Sequence, residues 1–164
     1  MRLLSCDVDG VLTDGGLYYG AEGQEMLRFN VLDGLGLQKL MIAGLTVVIV
    51  SQSESPIITS RARKLGISHC LTGIDCKRAP IKALADRAGL SLAEVAHIAD
   101  DENDLSLLRS VGVAVTVPNG LAKVQAVARF VTRAHGGNGA VRELAEAILS
   151  SRVHFGADPG HSCP

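Results

Sequence analysis

Side chains suited to phosphoryl transfer are spread along this chain, most of them directly after a short apolar segment. The set consists of Asp7, Asp9, Ser51, Lys77, Asp100, Asp101 and Asp104. Several carboxylates at one point repel each other unless a cation lies among them. Oxygen ligands that leave positions for water suit Mg²⁺. The set therefore indicates a magnesium-dependent reaction, provided that the fold brings its members together.

The residue types also suggest the steps of such a reaction. One carboxylate can accept a phosphoryl group as an aspartyl phosphate, and a second can protonate the leaving alkoxide and later activate water. An ammonium group and Mg²⁺ would neutralise charge on the transferred group. Each residue alone also has a structural explanation, since a Ser after a strand is often a helix cap and neighbouring Asp residues suit a helix N-terminus. Their joint occurrence at the ends of predicted strands favours the catalytic interpretation.

Apolar runs of strand length alternate with helical patterns along the chain, which predicts an α/β fold. The predicted strands are 3–8, 46–50, 95–99 and 113–117, with weaker strands at 69–71 and 130–132. The predicted helices are 35–43, 56–64, 77–88, 104–110, 121–128 and 140–150. This alternation indicates a Rossmann-like parallel sheet with helices on both faces. Ligands bind beyond the carboxyl ends of the strands in such sheets, so we expect the polar set to converge there.

Residues 15–30 interrupt this alternation where a helix would be expected. Leu17-Tyr18-Tyr19 and residues 25–29 flank the Gly-containing residues 20–23, which predicts a β-hairpin insertion after the first strand. We expect one domain over residues 1–150 and a loose C-terminal tail over 151–164.

Composition argues against several classes of function. The formal net charge of −1, from 16 basic and 17 acidic residues, gives no field for nucleic acid or an anionic membrane. The chain has no apolar run near the ~20 residues that span a bilayer. Few residues precede Asp7, which leaves no room for a signal peptide, so we expect a cytoplasmic location. The four cysteines are not spaced as a disulfide framework.

The sequence resembles the haloacid dehalogenase superfamily. The run DVDGVLTDG at 7–15 is similar to its first motif, DxDGxxTD, and Ser51, Lys77 and Asp100 with Asp104 match its later motifs. Four further stretches resemble the 3-deoxy-octulosonate 8-phosphate phosphatases and the related nonulosonate 9-phosphate phosphatases. They are FNVLDGLG (29–36), RARKLGI (61–67), ADDENDLSLL (99–108) and HGGNGAVRE (135–143). These phosphatases lack a large cap domain and carry a hairpin where residues 15–30 lie.

The resemblance implies a role for each matching residue. Asp7 would be the nucleophile and a metal ligand, and Asp9 the general acid/base and a ligand through its carbonyl. Ser51 and Lys77 would hold the phosphate, and Asp100 would complete the Mg²⁺ site. The remaining candidates are the supporting residues Asp101 and Asp104 and the substrate residues Asp33, Gly34, Arg61, Lys64 and Arg142.

The implied activity is hydrolysis of a sugar-acid phosphate used in making lipopolysaccharide or capsule sugars. Arg61 and Lys64 fit positions used by the nonulosonate branch, whereas Leu32 and Ser53 replace groups that the octulosonate branch uses. On these grounds we expect a nine-carbon substrate to be preferred over an eight-carbon one.

Two other classes of protein share parts of this pattern. A catalytically weak or regulatory phosphatase-like module, linked to sialic-acid-type sugar activation, would keep the fold without efficient turnover. A receiver domain also places an Asp pair, a hydroxyl and a Lys on a parallel sheet. Its acceptor Asp should end the third strand, and residues 69–71 offer none.

The predicted hairpin also suggests an assembly. It carries most of the aromatic residues of the chain, and a two-stranded hairpin is marginal in water by itself. We expect a homotetramer in which the hairpin of one subunit covers the site of the next, as the resemblance also implies. Arg142 would then lie near the shared cleft or serve as a structural ion-pair partner.

Overall fold

The computed structural model describes residues 1–154, and within them the predicted alternation of strands and helices is present. The strands are β1 Leu3–Cys6, β2 Tyr18–Tyr19, β3 Glu25–Met26, β4 Thr46–Val50, β5 His69–Leu71, β6 Val95–Ile98, β7 Val113–Thr116 and β8 Phe130–Val131. The helices are α1 Val31–Ile42, α2 Pro56–Leu65, α3 Arg78–Arg87, α4 Leu105–Leu108, α5 Ala122–Gln125 and α6 Ala140–His154. Two 3₁₀ turns, Leu92–Glu94 and Glu102–Asp104, lie on either side of β6.

Six of the strands form one parallel sheet in the order β5-β4-β1-β6-β7-β8. β1 lies inside the sheet and is completely buried between β4 and β6. The β-branched residues of β4 suit such a position because both faces of a parallel sheet are covered. The carboxyl end of β1 therefore opens in the middle of the sheet edge where ligands bind in α/β folds.

Helices cover both faces of the sheet, as predicted. On one face α1, α2 and α6 bury apolar side chains that include Leu37, Leu40, Ile58, Leu65, Val141 and Leu144. On the other face α3 and α4 contribute Ile81, Ala85 and Leu107. The Rossmann-like α/β class predicted from the sequence is thus confirmed.

Helix α1 begins at Val31, four residues before the predicted start at residue 35. Its cap is Asn30, whose side chain accepts a hydrogen bond from the backbone N–H of Leu32 at 2.8 Å. Gly34 and Gly36 in the first turns disfavour a helix locally. Gly36 instead allows α1 to pack closely on α6, because a Cβ there would meet the Cα of Arg142 at 3.0 Å.

The predicted hairpin is confirmed as the antiparallel pair β2 and β3. Two side chains at its base fix it to the body of the protein. Glu25 accepts a hydrogen bond from the hydroxyl of Ser55 at 2.6 Å, and Arg28 forms an ion pair with Asp14 at 3.0 Å. The hairpin therefore lies beside the loop that follows β4, close to the sheet edge described above.

Other boundaries differ from the prediction. The segment 104–110 is a 3₁₀ turn followed by the single-turn helix α4, and the helix predicted over 121–128 is limited to α5. Helix α6 continues to His154, past the predicted end at residue 150, and the rest of the predicted tail lies outside the described residues. Cys6, Cys70 and Cys76 are free thiols. Within residues 1–154, no helix has the length and apolar character needed to cross a membrane.

Candidate active site

The loop over residues 7–15 leaves β1 and folds around the hydroxyl of Thr13. This buried hydroxyl accepts hydrogen bonds from the backbone N–H groups of Gly10 and Gly15, at 3.3 and 3.2 Å. Gly10 has a φ of 75°, a conformation that glycine adopts at little cost. The loop is also held from outside, since the amide of Asn119 donates to the Gly10 carbonyl at 2.8 Å. The turn that carries Asp7 and Asp9 is therefore rigidly supported.

Asp7 is almost completely buried, and its carboxyl group lies within hydrogen-bond distance of the Lys77 ammonium group. The Lys77 Nζ lies 2.7 Å from Asp7 Oδ1 and 2.8 Å from Asp104 Oδ2, so one ammonium group bridges two carboxylates. The backbone N–H of Val8 also donates to Asp7 Oδ1, at 2.7 Å. Among the described contacts, both partners of the Asp7 carboxylate thus use the same oxygen.

The pKa values of the two carboxylates that share Lys77 move in opposite directions. Burial and then the Asp104 carboxylate raise the pKa of Asp7 to about 8, against the lowering by Lys77. Burial also opposes ionisation of Asp104, but the hydrogen bond from His97 and the charge of Lys77 outweigh it and lower the pKa of Asp104. Burial lowers the pKa of Lys77, yet its two carboxylate partners raise it overall. Lys77 is therefore a cation, and Asp7 needs additional positive charge to ionise at neutral pH.

Asp9 lies in a more open environment than Asp7. Its Oδ2 accepts a long hydrogen bond of 3.4 Å from the Ser51 hydroxyl, which in turn accepts one from the Ser53 backbone N–H at 3.0 Å. Burial raises the pKa of Asp9, an effect that the Ser51 hydrogen bond and Lys77 only partly offset. A carboxyl with a raised pKa beside a cavity is suited to proton transfer.

These groups border one cavity of about 420 Å³ beyond the carboxyl ends of the strands. Its lining residues are Asp7, Asp9, Gly10, Gly15, Ser51, Gln52, Ser53, Asp100, Asp101 and Asn103. Five predicted site residues lie in this lining, and Lys77 and Asp104 lie directly behind Asp7. The structure thus brings together all seven members of the polar set from the sequence.

Asp100 lies opposite the first loop, against Gly10. A side chain at Gly10 would clash with the Asp100 carboxylate, so the close approach depends on glycine. Burial and then the neighbouring Asp101 charge raise the pKa of Asp100 to about 6. Asp101 itself caps the 3₁₀ turn by accepting from the Glu102 N–H at 2.6 Å. Of the two neighbours, Asp100 is therefore the candidate ligand and Asp101 the helix cap.

The oxygen donors at this cavity are suited to a hard cation. Residues 1–154 contain no group of three or more His, Cys, Asp or Glu side chains arranged to hold a metal ion. The expected site needs only two carboxylates, Asp7 and Asp100, and the Asp9 carbonyl. Asn103 belongs to the lining of the same cavity, and its buried side-chain oxygen Oδ1 has no donor among the described residues. All of these are oxygen donors, which Mg²⁺ prefers.

The five predicted substrate residues do not line the cavity of the described chain. Asp33 is buried and accepts from the N–H groups of Gly139 and Arg142, at 3.1 and 2.9 Å, at the start of α6. Arg61 donates to the Asn30 carbonyl at 3.2 Å, and its guanidinium lies over the Phe29 ring. These side chains are occupied in holding α1, α2 and α6 together.

The other three substrate candidates also have structural surroundings. Gly34 lies under Arg61 and leaves no room for a side chain. The Arg142 guanidinium pairs with Glu146 at 2.8 Å, the structural alternative considered for it above. Lys64 is exposed on α2. The prediction that these residues form the substrate site is therefore not supported within a single chain.

Sequence reasoning missed several residues that shape the site. Gln52 and Asn103 lie next to predicted site residues and could have been found from their positions after the strands. His97 and Asn119 gave no such signal. His97 lies inside an apolar strand and contacts Asp104 at 2.8 Å, and Asn119 lies in a turn distant in sequence from the loop it holds.

Comparison with known proteins places this geometry among phosphatases. A sequence model of the haloacid dehalogenase-like hydrolases matches residues 73–144. The 3-deoxy-D-manno-octulosonate 8-phosphate phosphatase KdsC of Yersinia pestis is 38% identical over 149 residues, which cover 91% of this chain and 80% of that protein. KdsC of Haemophilus influenzae is 36% identical over 152 residues, covering 93% and 84%.

A solved structure agrees with these sequence matches. The crystal structure of the Moraxella catarrhalis 3-deoxy-D-manno-octulosonate 8-phosphate phosphatase, in complex with a magnesium ion, a phosphate ion and KDO, is similar with a TM-score of 0.91 and 41% identity. The match covers 94% of this chain and 89% of the Moraxella catarrhalis chain. The chain therefore belongs to the haloacid dehalogenase-like hydrolases, in the family of the 3-deoxy-D-manno-octulosonate 8-phosphate phosphatases, and is a phosphatase.

Proposed function

We propose that this phosphatase uses Mg²⁺ to hydrolyse the 8-phosphate ester of 3-deoxy-D-manno-octulosonate, with Asp7 as nucleophile and Asp9 as general acid/base. One observation carries the proposal: Asp7, Asp9, Ser51 and Asp100 face a single cavity, with the buried Lys77 ammonium 2.7 Å from Asp7. The similar Yersinia pestis and Moraxella catarrhalis proteins are phosphatases of this sugar acid.

In the first step an Asp7 oxygen attacks phosphorus while the bond from phosphorus to the sugar oxygen breaks. The leaving alkoxide takes a proton from Asp9, whose raised pKa keeps a proton available. The product is a phosphoryl group on Asp7 and a free sugar acid. Lys77 and the Ser51 hydroxyl are placed to offset the charge of the phosphoryl oxygens.

In the second step Asp9 acts as a base. It accepts a proton from water as the water oxygen attacks phosphorus, and the bond to Asp7 breaks. Inorganic phosphate leaves and both carboxylates return to their first state. A Mg²⁺ ion held by Asp7, Asp100 and the Asp9 carbonyl would supply positive charge for the transferred group.

The choice of the eight-carbon substrate follows from the positions of the basic residues. The nine-carbon preference expected from the sequence rested on Arg61 and Lys64, and on Leu32 and Ser53 in place of groups that the octulosonate branch uses. Arg61 is used by the Asn30 carbonyl and the Phe29 ring, and Lys64 lies away from the cavity lining. The matched curated relatives act on the eight-carbon compound, so we take it as the substrate and keep the nonulosonate 9-phosphate as the second candidate.

The test is a phosphatase assay of the full chain with matched carboxylate variants. Asp7→Asn should abolish turnover because an amide is a poor nucleophile, and Asp9→Asn should lower kcat by about 10²–10⁴ because the general acid is lost. Asp86→Asn removes a carboxylate from an exposed pair with Lys82 and should leave turnover unchanged. Full activity in excess chelator, or turnover by Asp7→Asn, would refute the mechanism.

A substrate panel decides the specificity separately. We expect the specificity constant for 3-deoxy-D-manno-octulosonate 8-phosphate to exceed that for nonulosonate 9-phosphates. A tenfold advantage corresponds to about 1.4 kcal/mol in transition-state binding. A preference for the nine-carbon compounds would overturn the substrate and leave the mechanism intact. The regulatory module considered from the sequence gains no support from the comparisons.

We further propose that the hairpin joins copies of the chain into a tetramer and covers a neighbouring cavity. The hairpin exposes Leu17, Tyr18, Tyr19 and Met26, and Tyr19 is 67% exposed. The start of α1 extends this surface with Val31, Leu32 and Leu35. Exposed apolar patches of this kind are typical of protein interfaces.

Light scattering after size exclusion tests the assembly. Tyr19→Glu should give smaller species and lower activity, because a charge would be buried in the proposed interface. Ile42→Glu is the matched control, since Ile42 is 88% exposed at the other end of α1. A fully active monomer of the unaltered chain would overturn both the assembly and the shared cavity.

A further inference from the structure

His97 is a buried imidazole in a strand whose other members are apolar. It is fully buried on β6, next to Ala96 and Ile98. A polar ring in such a place is costly unless its nitrogens have partners. Both nitrogens do have them: Nε2 lies 2.8 Å from Asp104 Oδ1, and Nδ1 lies 2.8 Å from the Ser5 hydroxyl.

The partners determine where one proton must lie. An ionised carboxylate can only accept hydrogen bonds, so Nε2 carries the hydrogen that it donates to Asp104. Nδ1 faces the Ser5 hydroxyl, which can donate to it or accept from it, and the Ser5 carbonyl is 3.2 Å away. Ser5 thereby fixes the ring plane, and the ring fixes one oxygen of Asp104.

The other oxygen of Asp104 faces the candidate nucleophile through Lys77. Asp104 Oδ2 lies 2.8 Å from Lys77 Nζ, which lies 2.7 Å from Asp7 Oδ1. The contacts form one continuous buried chain from β6 to the reacting carboxylate. A carboxylate held at both oxygens cannot rotate, so the ammonium group that it carries stays at one place beside Asp7.

We infer that His97 is a positioning residue for phosphoryl transfer. It holds Asp104 in the orientation that keeps the Lys77 ammonium on Asp7. His97 is not one of the residues that line the cavity and reaches the site through its hydrogen bond to Asp104. The inference rests on the proposed role of Asp7 as nucleophile, and on no particular sugar substrate.

Two amide variants separate this role from a general effect on packing. The amide nitrogen of Gln reaches about as far as Nε2 of His, whereas that of Asn reaches only about as far as Nδ1. His97→Gln can therefore still donate to Asp104, and His97→Asn cannot. His97→Phe keeps the ring volume without any donor. Val95→Ala is the matched control, because Val95 is fully buried on the same strand and face and lies outside the chain of contacts.

The assay measures kcat and KM with p-nitrophenyl phosphate and Mg²⁺, together with the melting temperature of each variant. We expect His97→Asn and His97→Phe to lower kcat by about tenfold or more with KM nearly unchanged, and His97→Gln to stay within about threefold of the unaltered protein. Val95→Ala should lower the melting temperature and leave kcat unchanged.

The His97 variants test this inference, and the Asp7→Asn variant tests the proposed nucleophile on which the inference rests. Equal kcat values for His97→Asn and His97→Gln would overturn it, even if His97→Phe does not fold. So would a Val95→Ala variant that loses as much kcat as His97→Asn, because packing would then explain the loss. Turnover by Asp7→Asn would overturn the nucleophile and this inference together, whereas an inactive Asp7→Asn leaves the His97 variants to decide.

Discussion

Binding of Mg²⁺ at the proposed site should release close to one proton per chain at pH 7. The pKa of Asp7 is raised to about 8, chiefly by burial, and that of Asp100 to about 6. At pH 7 about nine-tenths of the Asp7 carboxyls and about one-tenth of the Asp100 carboxyls then carry a proton. Both groups must ionise to ligate a metal, so their protons leave as it binds.

The same values predict how the affinity for Mg²⁺ changes with pH. Between pH 8 and pH 6, competition from the Asp7 proton weakens apparent binding by about 50-fold, and the Asp100 proton adds about twofold. The total is on the order of 100-fold. The affinity for Mg²⁺ should therefore rise steeply as the pH increases from 6 to 8. The rise should be much larger than for a site built from carboxylates with ordinary pKa values.

The stability of the metal-free protein should change in the opposite direction. The folded state holds the Asp7 proton more tightly than the unfolded chain, whose pKa is near the ordinary value of 3.8. The folded state therefore binds more protons between about pH 4 and pH 8, and this contribution to the free energy of unfolding falls as pH rises through that window. Mg²⁺ replaces the proton, so its shift of the melting temperature should be larger at pH 8 than at pH 6.

Isothermal titration calorimetry in two buffers of different ionisation enthalpy counts the released protons. The Asp7→Asn variant should release only about a tenth of a proton at pH 7, which is the share from Asp100. Asp86→Asn should match the unaltered chain, because that carboxylate is exposed on α3. Absence of proton release from the unaltered chain, or equal release from Asp7→Asn, would refute the linkage between the Asp7 proton and the metal.

Two substitutions test how the fold supports the site. Gly10→Ala should weaken Mg²⁺ binding in calorimetry, because its side chain would displace the Asp100 carboxylate. Gly44→Ala is the control, since Gly44 has a similar φ of 79° but open space around it. It should lower the free energy of unfolding only by the backbone strain, about 1–3 kcal/mol, and leave Mg²⁺ binding unchanged. Asp33→Ala should lower the free energy of unfolding in urea by about 2 kcal/mol through loss of the α6 cap, with KM unchanged. A raised KM with normal stability would instead make Asp33 a substrate residue.

The sheet and the polar set were predictable from the sequence because both depend on local patterns. The β-branched run 46–50 and the apolar runs around it identify buried strands. Parallel strands then place the residues that follow them at one edge, whatever the order of the strands. The start of α1 was harder to predict, because Gly34 and Gly36 oppose a helix locally. Only tertiary packing explains them, since Gly34 lies against α2 and Gly36 against α6.

The predicted roles of Asp33 and Arg61 in substrate binding stay predictions, whereas their contacts within the chain are structural. Asp33 and Arg61 stand in stretches that resemble the phosphatase family, and a resemblance does not separate groups that bind a ligand from groups that hold the scaffold. In the structure Asp33 accepts two backbone N–H groups at the start of α6, and Arg61 donates to the Asn30 carbonyl. Burial and hydrogen-bond partners, which the sequence does not specify, make this distinction.

The contacts behind the cavity join residues that lie on different elements of the fold. Asn119 donates to the Gly10 carbonyl and accepts from the Gly136 N–H at 2.9 Å, so one amide joins three separate loops. His97 likewise reaches Asp104, and through it Lys77. No single helix or strand contains both members of any of these pairs, so sequence periodicity cannot find them. The proposed reacting residues could be predicted from their positions after parallel strands, whereas the residues that hold them in place follow only from the packed structure.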